Sequence, residues 1–311
     1  MTPRQAAALF FTAGVWGGSF LFVRVLVDAG VDPLGVAATR CGLGLLALSP
    51  LFLLVRKQIP REPRVVLLLF ALGFINMVIP WVLIATAGQR IPSGVSSIVN
   101  SSLPLWVAIF STFFLKTDRL SGVQVFGLLL GFGGVMVLLG LDGFTNLGGD
   151  ASVGIACVLG ASISYAFGAV AIRRWLPGTP TITLTLFPLA VATLIVVPLA
   201  ALTGSYEGAD LGAKEWGSMI AIGAGSSGVA GLSYMWLLGQ IGAVRSSVIT
   251  YLVPVIAIIA GWWFLDESVG WNLVAGIVLI IGGLVLVQRV PVGRIVRFVV
   301  PSRGAPVPVN D

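Results

Sequence analysis

Ten apolar stretches follow one another along the chain with little between them, near 6–27, 33–55, 65–87, 93–114, 121–141, 153–172, 180–202, 216–238, 246–264 and 269–288. A helix needs about 20 such residues to cross roughly 30 Å of hydrocarbon. Only 10% of the 311 residues are charged and 57% are hydrophobic, whereas water-soluble domains carry about 25% charged residues. A soluble fold is excluded, and the chain reads as an all-α polytopic membrane protein with ten transmembrane helices. The first stretch is longer than a signal-peptide core and no small-residue cleavage pattern follows it, so it is expected to be retained.

The basic residues give the expected orientation. With the amino terminus in the cytoplasm, ten spans return the carboxyl terminus there. Fourteen of the 18 Lys and Arg then fall inside: Arg4, Arg56, Lys57, Arg61, Arg64, Lys116, Arg119, Arg173, Arg174, Arg245, Arg289, Arg294, Arg297 and Arg303. Such asymmetry is the positive-inside signature. The net charge of +6 therefore anchors the protein to an anionic inner leaflet of the cell membrane and does not point to nucleic acid. Cys41 and Cys157 fall inside spans and form neither a disulfide framework nor a metal-ligand spacing, so no metal or cofactor is expected.

The sequence also repeats itself. Gln89 in GQRIPSGVSSIVNSSLPLW pairs with Gln240 in GQIGAVRSSVITYLVPVIA, an offset of 151, and Pro104 pairs with Pro254 at 150. Asp118, Gly127, Gly133 and Gly134 meet Glu267, Gly276, Gly282 and Gly283 at 149; VWGGSFLFVR (15–24) meets SYAFGAVAIR (164–173) at the same offset, and Pro50 meets Pro198 at 148. The repeats run over 4–141 and 153–288, with a basic tail at 289–311. Each holds five spans, and because five is odd the second must enter the membrane from the opposite face. Two inverted five-helix repeats around a midplane site are typical of secondary transporters.

The segment from Ile91 to Gly140 and its echo from Gly242 to Val287 resemble the paired repeats of EamA-type carriers in the drug/metabolite transporter superfamily. Both show a serine-rich helix start, a mid-helix proline, a short acidic loop and a glycine-rich helix; Asp118 stands where that family usually has Glu. The resemblance implies a central cavity built by the first four helices of each half, cytoplasmic termini, and peripheral fifth helices suited to homodimer contacts.

Counted inward at about 1.5 Å per residue, Trp16, Asn76, Tyr165 and Ser227 lie roughly 15 to 18 Å deep, near the midplane. They form repeat-related pairs, Trp16 with Tyr165 and Asn76 with Ser227, and are candidates to line a solute path or to bond neighbouring helices. Arg40, the one charge well inside a span, must face protein or water. It is read either as a carboxylate-binding fork or as a brace for adjacent helices. Asn100 is expected in the outer half of the membrane and Thr250 and Tyr251 in the inner half, bounding the path from its two ends. Pro104 and Pro254 each release the carbonyl four residues earlier, which predicts a bend or a polar contact at Asn100 and Thr250. The spacings Gly14–Gly18 and Gly127–Gly131 suit close helix packing, while Trp236, Trp262, Trp263 and Trp271 near span ends fit an aromatic belt.

The chain has no histidine, and no Asp or Glu lies deep within a span, so acid–base and metal-assisted catalysis lack their usual groups. The expected function is alternating-access transport of a small organic solute, leading with export of an amino acid or related metabolite. A multidrug exporter and a lipid scramblase are the alternatives. Coupling rests on an edge carboxylate such as Asp28 or is absent.

Overall fold

The computed structural model describes residues 1–55, 61–115, 120–139, 150–256 and 271–288. Asp118, Glu267, Trp262, Trp263 and the basic tail lie outside the described residues. Within them the chain is helical and contains no strand. Seven helices are long and apolar enough to cross a membrane: α1 (Pro3–Asp28), α2 (Pro33–Leu53, continuing to Val55), α3 (Pro63–Gly88), α4 (Ser93–Phe114), α6 (Ala151–Trp175), α7 (Thr181–Leu202) and α8 (Ala213–Ile241). Three shorter apolar helices complete the set, α5 (Gly122–Leu139), α9 (Ala243–Ile256) and α10 (Trp271–Gln288).

Local sequence explains the ends of these helices. Thr2 and Gln5 cap α1 reciprocally through Thr2 Oγ1 and Gln5 Oε1, with Pro3 occupying the first turn, where its missing N–H costs nothing. Asp32 Oδ1 accepts from the amides of Leu34 (2.7 Å) and Gly35 (3.0 Å) to start α2. A single residue, Gly242 at φ 86°, joins α8 to α9, a turn that a side chain would oppose. Above the start of α2, Tyr206 donates to Gly35 O (2.7 Å) and meets Thr39 Oγ1 at 2.9 Å. Burial raises the pKa of this phenol, and the Thr39 hydrogen bond only partly offsets that effect.

The surface is inverted relative to a soluble protein. Leu202 (85% exposed) and Phe113 (78%) face outward, while serines 96, 97, 101, 111, 162, 246 and 247 are buried. An extended apolar exterior of this kind requires a partner phase, and here it is the bilayer of a multi-pass membrane protein.

The two halves interlock. α2 packs on α7 and on the middle of α8, α7 packs on α3, α1 packs on α8, and α6 packs on α3 and α4. Apart from this bundle, α5 and α10 pair with each other. A Cβ added at Gly127 would stand 2.9 Å from Gly283 O, and one at Gly134 would stand 2.9 Å from Gly276 O, so the two backbones nearly touch along a glycine seam. The glycine faces of both fifth helices are therefore spent within the chain, leaving Phe126, Leu129, Val274 and Val278 outward. The Gly14–Gly18 expectation needs correction: a Cβ added at Gly14 would meet open space and one at Gly18 only Phe22 of its own helix, whereas one at Gly17 would stand 3.2 Å from Val253 O.

Candidate functional site

Two helices depart from α geometry midway along their length. α3 contains a π-turn at Phe74–Val78 and α8 a longer π-stretch at Ala221–Ala230. Such wide turns turn backbone carbonyls away from the regular ladder and recur at functional sites. Ile75 O accepts from Ser164 Oγ on α6, and Ser226 O accepts from Trp16 Nε1 on α1 at 3.2 Å. Ile75 and Ser226 are 151 residues apart, the offset of the sequence repeat. Each half's irregular helix is thus clasped by the first helix of the other half.

A third clasp joins α4 and α9. α4 is interrupted at Ser101–Ser102, between Ser93–Asn100 and Leu103–Phe114, and α9 is interrupted at Val248. Pro254 lacks the N–H that would bond Thr250 O. Ser101 Oγ lies 2.9 Å from that carbonyl and shares its single proton between it and Ser97 O, also at 2.9 Å. The polar contact expected at Thr250 is present, and its donor comes from the opposite half. The placement at opposite ends needs correction, because Asn100 and Thr250 border the same cavity and their helices meet there.

That cavity lies between the halves and has a volume of ≈ 100 Å³. One water needs about 10–15 Å³ on this measure, so several waters or a small organic solute fit. Its walls come from α1–α4 and α6–α9, with no residue from α5 or α10. Trp16, Arg40, Asn76, Asn100, Tyr165, Ser227 and Thr250 all border it. Tyr251 does not: it is fully buried, its hydroxyl donates to Leu128 O on α5 at 2.8 Å, and its ring lies against Gly131. Pro104 and Pro254 are buried beside the cavity without lining it.

Arg40 is the one cationic residue in the wall among the described residues. It is 7% exposed; its Nε donates to Ser227 Oγ at 3.1 Å and Nη2 to Ser226 Oγ at 3.3 Å, and its guanidinium lies 4.8 Å from the Trp81 ring centre. Among the described residues no carboxylate pairs with it; the ion pair present is Arg24–Asp28 at 2.8 Å, at the exposed end of α1. Both readings of Arg40 from sequence thus have a physical basis, since one edge braces α8 while Nη1 has no hydrogen-bond partner among the described residues. Opposite, Asn76 lies directly against Gly168, where a Cβ would collide with its amide. Asn100 Oδ1 accepts from Ser162 Oγ at 3.2 Å.

The EamA-like transporter family matches residues 4–140 and again 152–289. The chain belongs to that family. An uncharacterized transporter of Archaeoglobus fulgidus is 28% identical over 282 residues, covering 90% of this chain and 97% of the relative. An uncharacterized inner membrane transporter of Escherichia coli K12, YedA, is 29% identical, covering 82% of this chain and 80% of the relative. A protein of known crystal structure at 24% identity superposes with a TM-score of 0.68 over 89% of this chain and 98% of its own, which supports the fold alone.

Several residues of this EamA-like cavity escape a reading by depth and repeat offset. Trp81, Ser226 and Tyr234 border it, with Tyr234 ringed against Trp16 at 5.0 Å. A helical stripe was the available signal. Met77, Trp81 and Ile84 on α3, and Ser227, Gly231 and Tyr234 on α8, recur at i, i+4 and i+7, one face of each helix.

Proposed function

We propose that this EamA-like transporter is a secondary carrier of a small organic solute, built as ten spans in two inverted five-helix repeats and working by alternating access. Its leading cargo is an amino acid or related metabolite, exported from the cytoplasm across a bacterial inner membrane with both termini on the cytoplasmic side. The observation that carries this reading is the cavity walled by the first four helices of both halves, with irregular helices on either side of it. Two similar halves around one site are the geometry that rocking requires. A homodimer, on this reading, forms through the outward faces of α5 and α10.

Multidrug export is the second reading, favoured by the aromatic share of the wall, Trp16, Phe20, Trp81, Tyr165 and Tyr234. Pockets of this character accept apolar solutes and fix them with few polar groups. Thermal-shift screening of the purified protein against amino-acid, metabolite and drug panels, followed by counterflow in proteoliposomes, separates the two. Saturable, protein-dependent exchange of one metabolite class supports the first reading; broad apolar selectivity supports the second. Unsaturable flux with no exchange between the two sides counts against alternating access.

A further inference from the structure

We propose that the solute is recognised through a carboxylate bound at Arg40, and that the cavity favours organic monoanions over amines and over the corresponding amino acids. The inference rests on the carrier reading above and, within its amino acid or related metabolite cargo, selects the amine-free carboxylic acid over the amino acid itself.

Arg40 is buried, borders the cavity, and meets no carboxylate among the described residues. A guanidinium carries five N–H donors in a planar fork, of which Ser227 and Ser226 take two. Trp81 covers one face and, with the serines, limits how the fork can turn. The remaining donors and an unneutralised positive charge are left for whatever enters the cavity. A charge at that depth is expensive unless it is compensated, and a carboxylate matches the fork in both charge and geometry.

The acceptors tell the same story from the other side. Carbonyls released by irregular transmembrane helices commonly coordinate cations, and an ammonium group would seek them. Here Ile75 O is engaged by Ser164, Ser226 O by Trp16, and Thr250 O by Ser101. Among the described residues no Asp or Glu borders the cavity. The site therefore offers donors and positive charge, and three of its released carbonyls, Ile75 O, Ser226 O and Thr250 O, already accept hydrogen bonds. One cation balances a monoanion and leaves a phosphate dianion half-neutralised, which favours a carboxylate among the anions. The apolar remainder of the solute rests against Trp16, Tyr165 and Tyr234.

The test uses four probes with one ring and chain: 3-phenylpropionate, its methyl ester, phenylalanine and 2-phenylethylamine. Their affinities for the purified full-length protein are measured by calorimetric titration near neutral pH. The expected result is that 3-phenylpropionate binds at least tenfold more tightly than the ester and the amine, and more tightly than phenylalanine. Arg40→Gln should reduce the acid to the ester's affinity, with Arg40→Lys falling between. Because Arg40 also braces α8, the wild-type series decides the matter even where Arg40→Gln fails to fold. Equal binding of acid and amine, tighter binding of phenylalanine, or no binding of the acid overturns the proposal. Counterflow with a mixed panel of acids, amines and neutral solutes keeps the two readings apart. Exchange of an amine or neutral solute alone refutes the carboxylate site and leaves the carrier standing, while no protein-dependent exchange of any solute refutes the carrier itself.

Discussion

Alanine at Gly283 tests whether α5 and α10 are held by direct backbone contact. A Cβ there would stand 2.5 Å from Gly127 O, 2.6 Å from Gly131 N and 2.8 Å from Gly131 Cα, where ordinary contact begins at 3.4 Å. All three atoms are backbone, so no side chain can rotate aside. The helices must part by the shortfall, 3.4 minus 2.8 to 3.4 minus 2.5, or about 0.6 to 0.9 Å. A gap of that size forfeits about a quarter to a half of the dispersion energy along the contact, and overpacking of this kind costs about 1–3 kcal/mol. Gly133→Ala is the matched control, because nothing lies within 4 Å of its added Cβ. Both substitutions gain about 1 kcal/mol of helix propensity, so their difference isolates the steric cost. At roughly 2–4 °C per kcal/mol for chains of this order, Gly283→Ala should melt about 2–12 °C below Gly133→Ala. Intrinsic tryptophan fluorescence of the purified proteins, heated at one fixed scan rate, reads the difference. Solute affinity should be equal in both, since neither helix lines the cavity. Melting points within a degree of each other would refute the backbone-contact reading of the seam.

Other outcomes follow from the clasps, from the Trp81 ring over Arg40 and from the Tyr206 phenol. Ser101→Ala leaves Thr250 O without its donor and should cost about 1–3 kcal/mol, read as a lower melting temperature with a changed exchange rate; unchanged melting and exchange would show that the contact is idle. Trp81→Leu should weaken binding of an anionic solute severalfold by removing the face under Arg40, a contact worth about 0.5–2 kcal/mol; the check is titration with 3-phenylpropionate. Tyr206 has a raised folded pKa, so its contribution to stability is present below its unfolded value of about 10 and declines as pH rises past it. Tyr206→Phe should therefore melt lower at pH 8 and lose less on going to pH 11 than wild type; parallel losses would contradict this. With no histidine in the chain and no acidic residue among the described residues of the cavity wall, collapsing the proton gradient in loaded proteoliposomes should change net transport little, and strict dependence on the gradient would argue for a coupling group elsewhere.

The helical plan was legible because membrane-length apolar runs and the charge asymmetry report directly on bilayer physics. Depth and repeat offset together found Trp16, Asn76, Tyr165 and Ser227, which border one cavity. What failed was azimuth. Successive helical residues point about 100° apart, so Thr250 borders the cavity while its neighbour Tyr251 turns to Leu128 on α5. Three such steps, a net turn of about 60°, separate Gly14, whose added Cβ would meet nothing within 4 Å, from Gly17, whose added Cβ would meet Val253 O on α9. The pairing of hydroxyls with released carbonyls was also hidden. Ser101 and Ser164 resemble the chain's many other serines, and only the crossing of helices from opposite halves brings each to its acceptor.

Those crossed hydrogen bonds bear on how the duplicated gene can be divided. Each half supplies a donor to the other's π-helix: Ser164 serves Ile75, and Trp16 serves Ser226. Cut between α5 and α6, each fragment would carry an open carbonyl into the bilayer, together with the exposed groove left by its missing partner. Co-expressed, the fragments should find one another and restore both bonds; a lone fragment should be left to the cell's proteases. Although written twice in the sequence, the fold is a mutual arrangement in which each copy finishes the other.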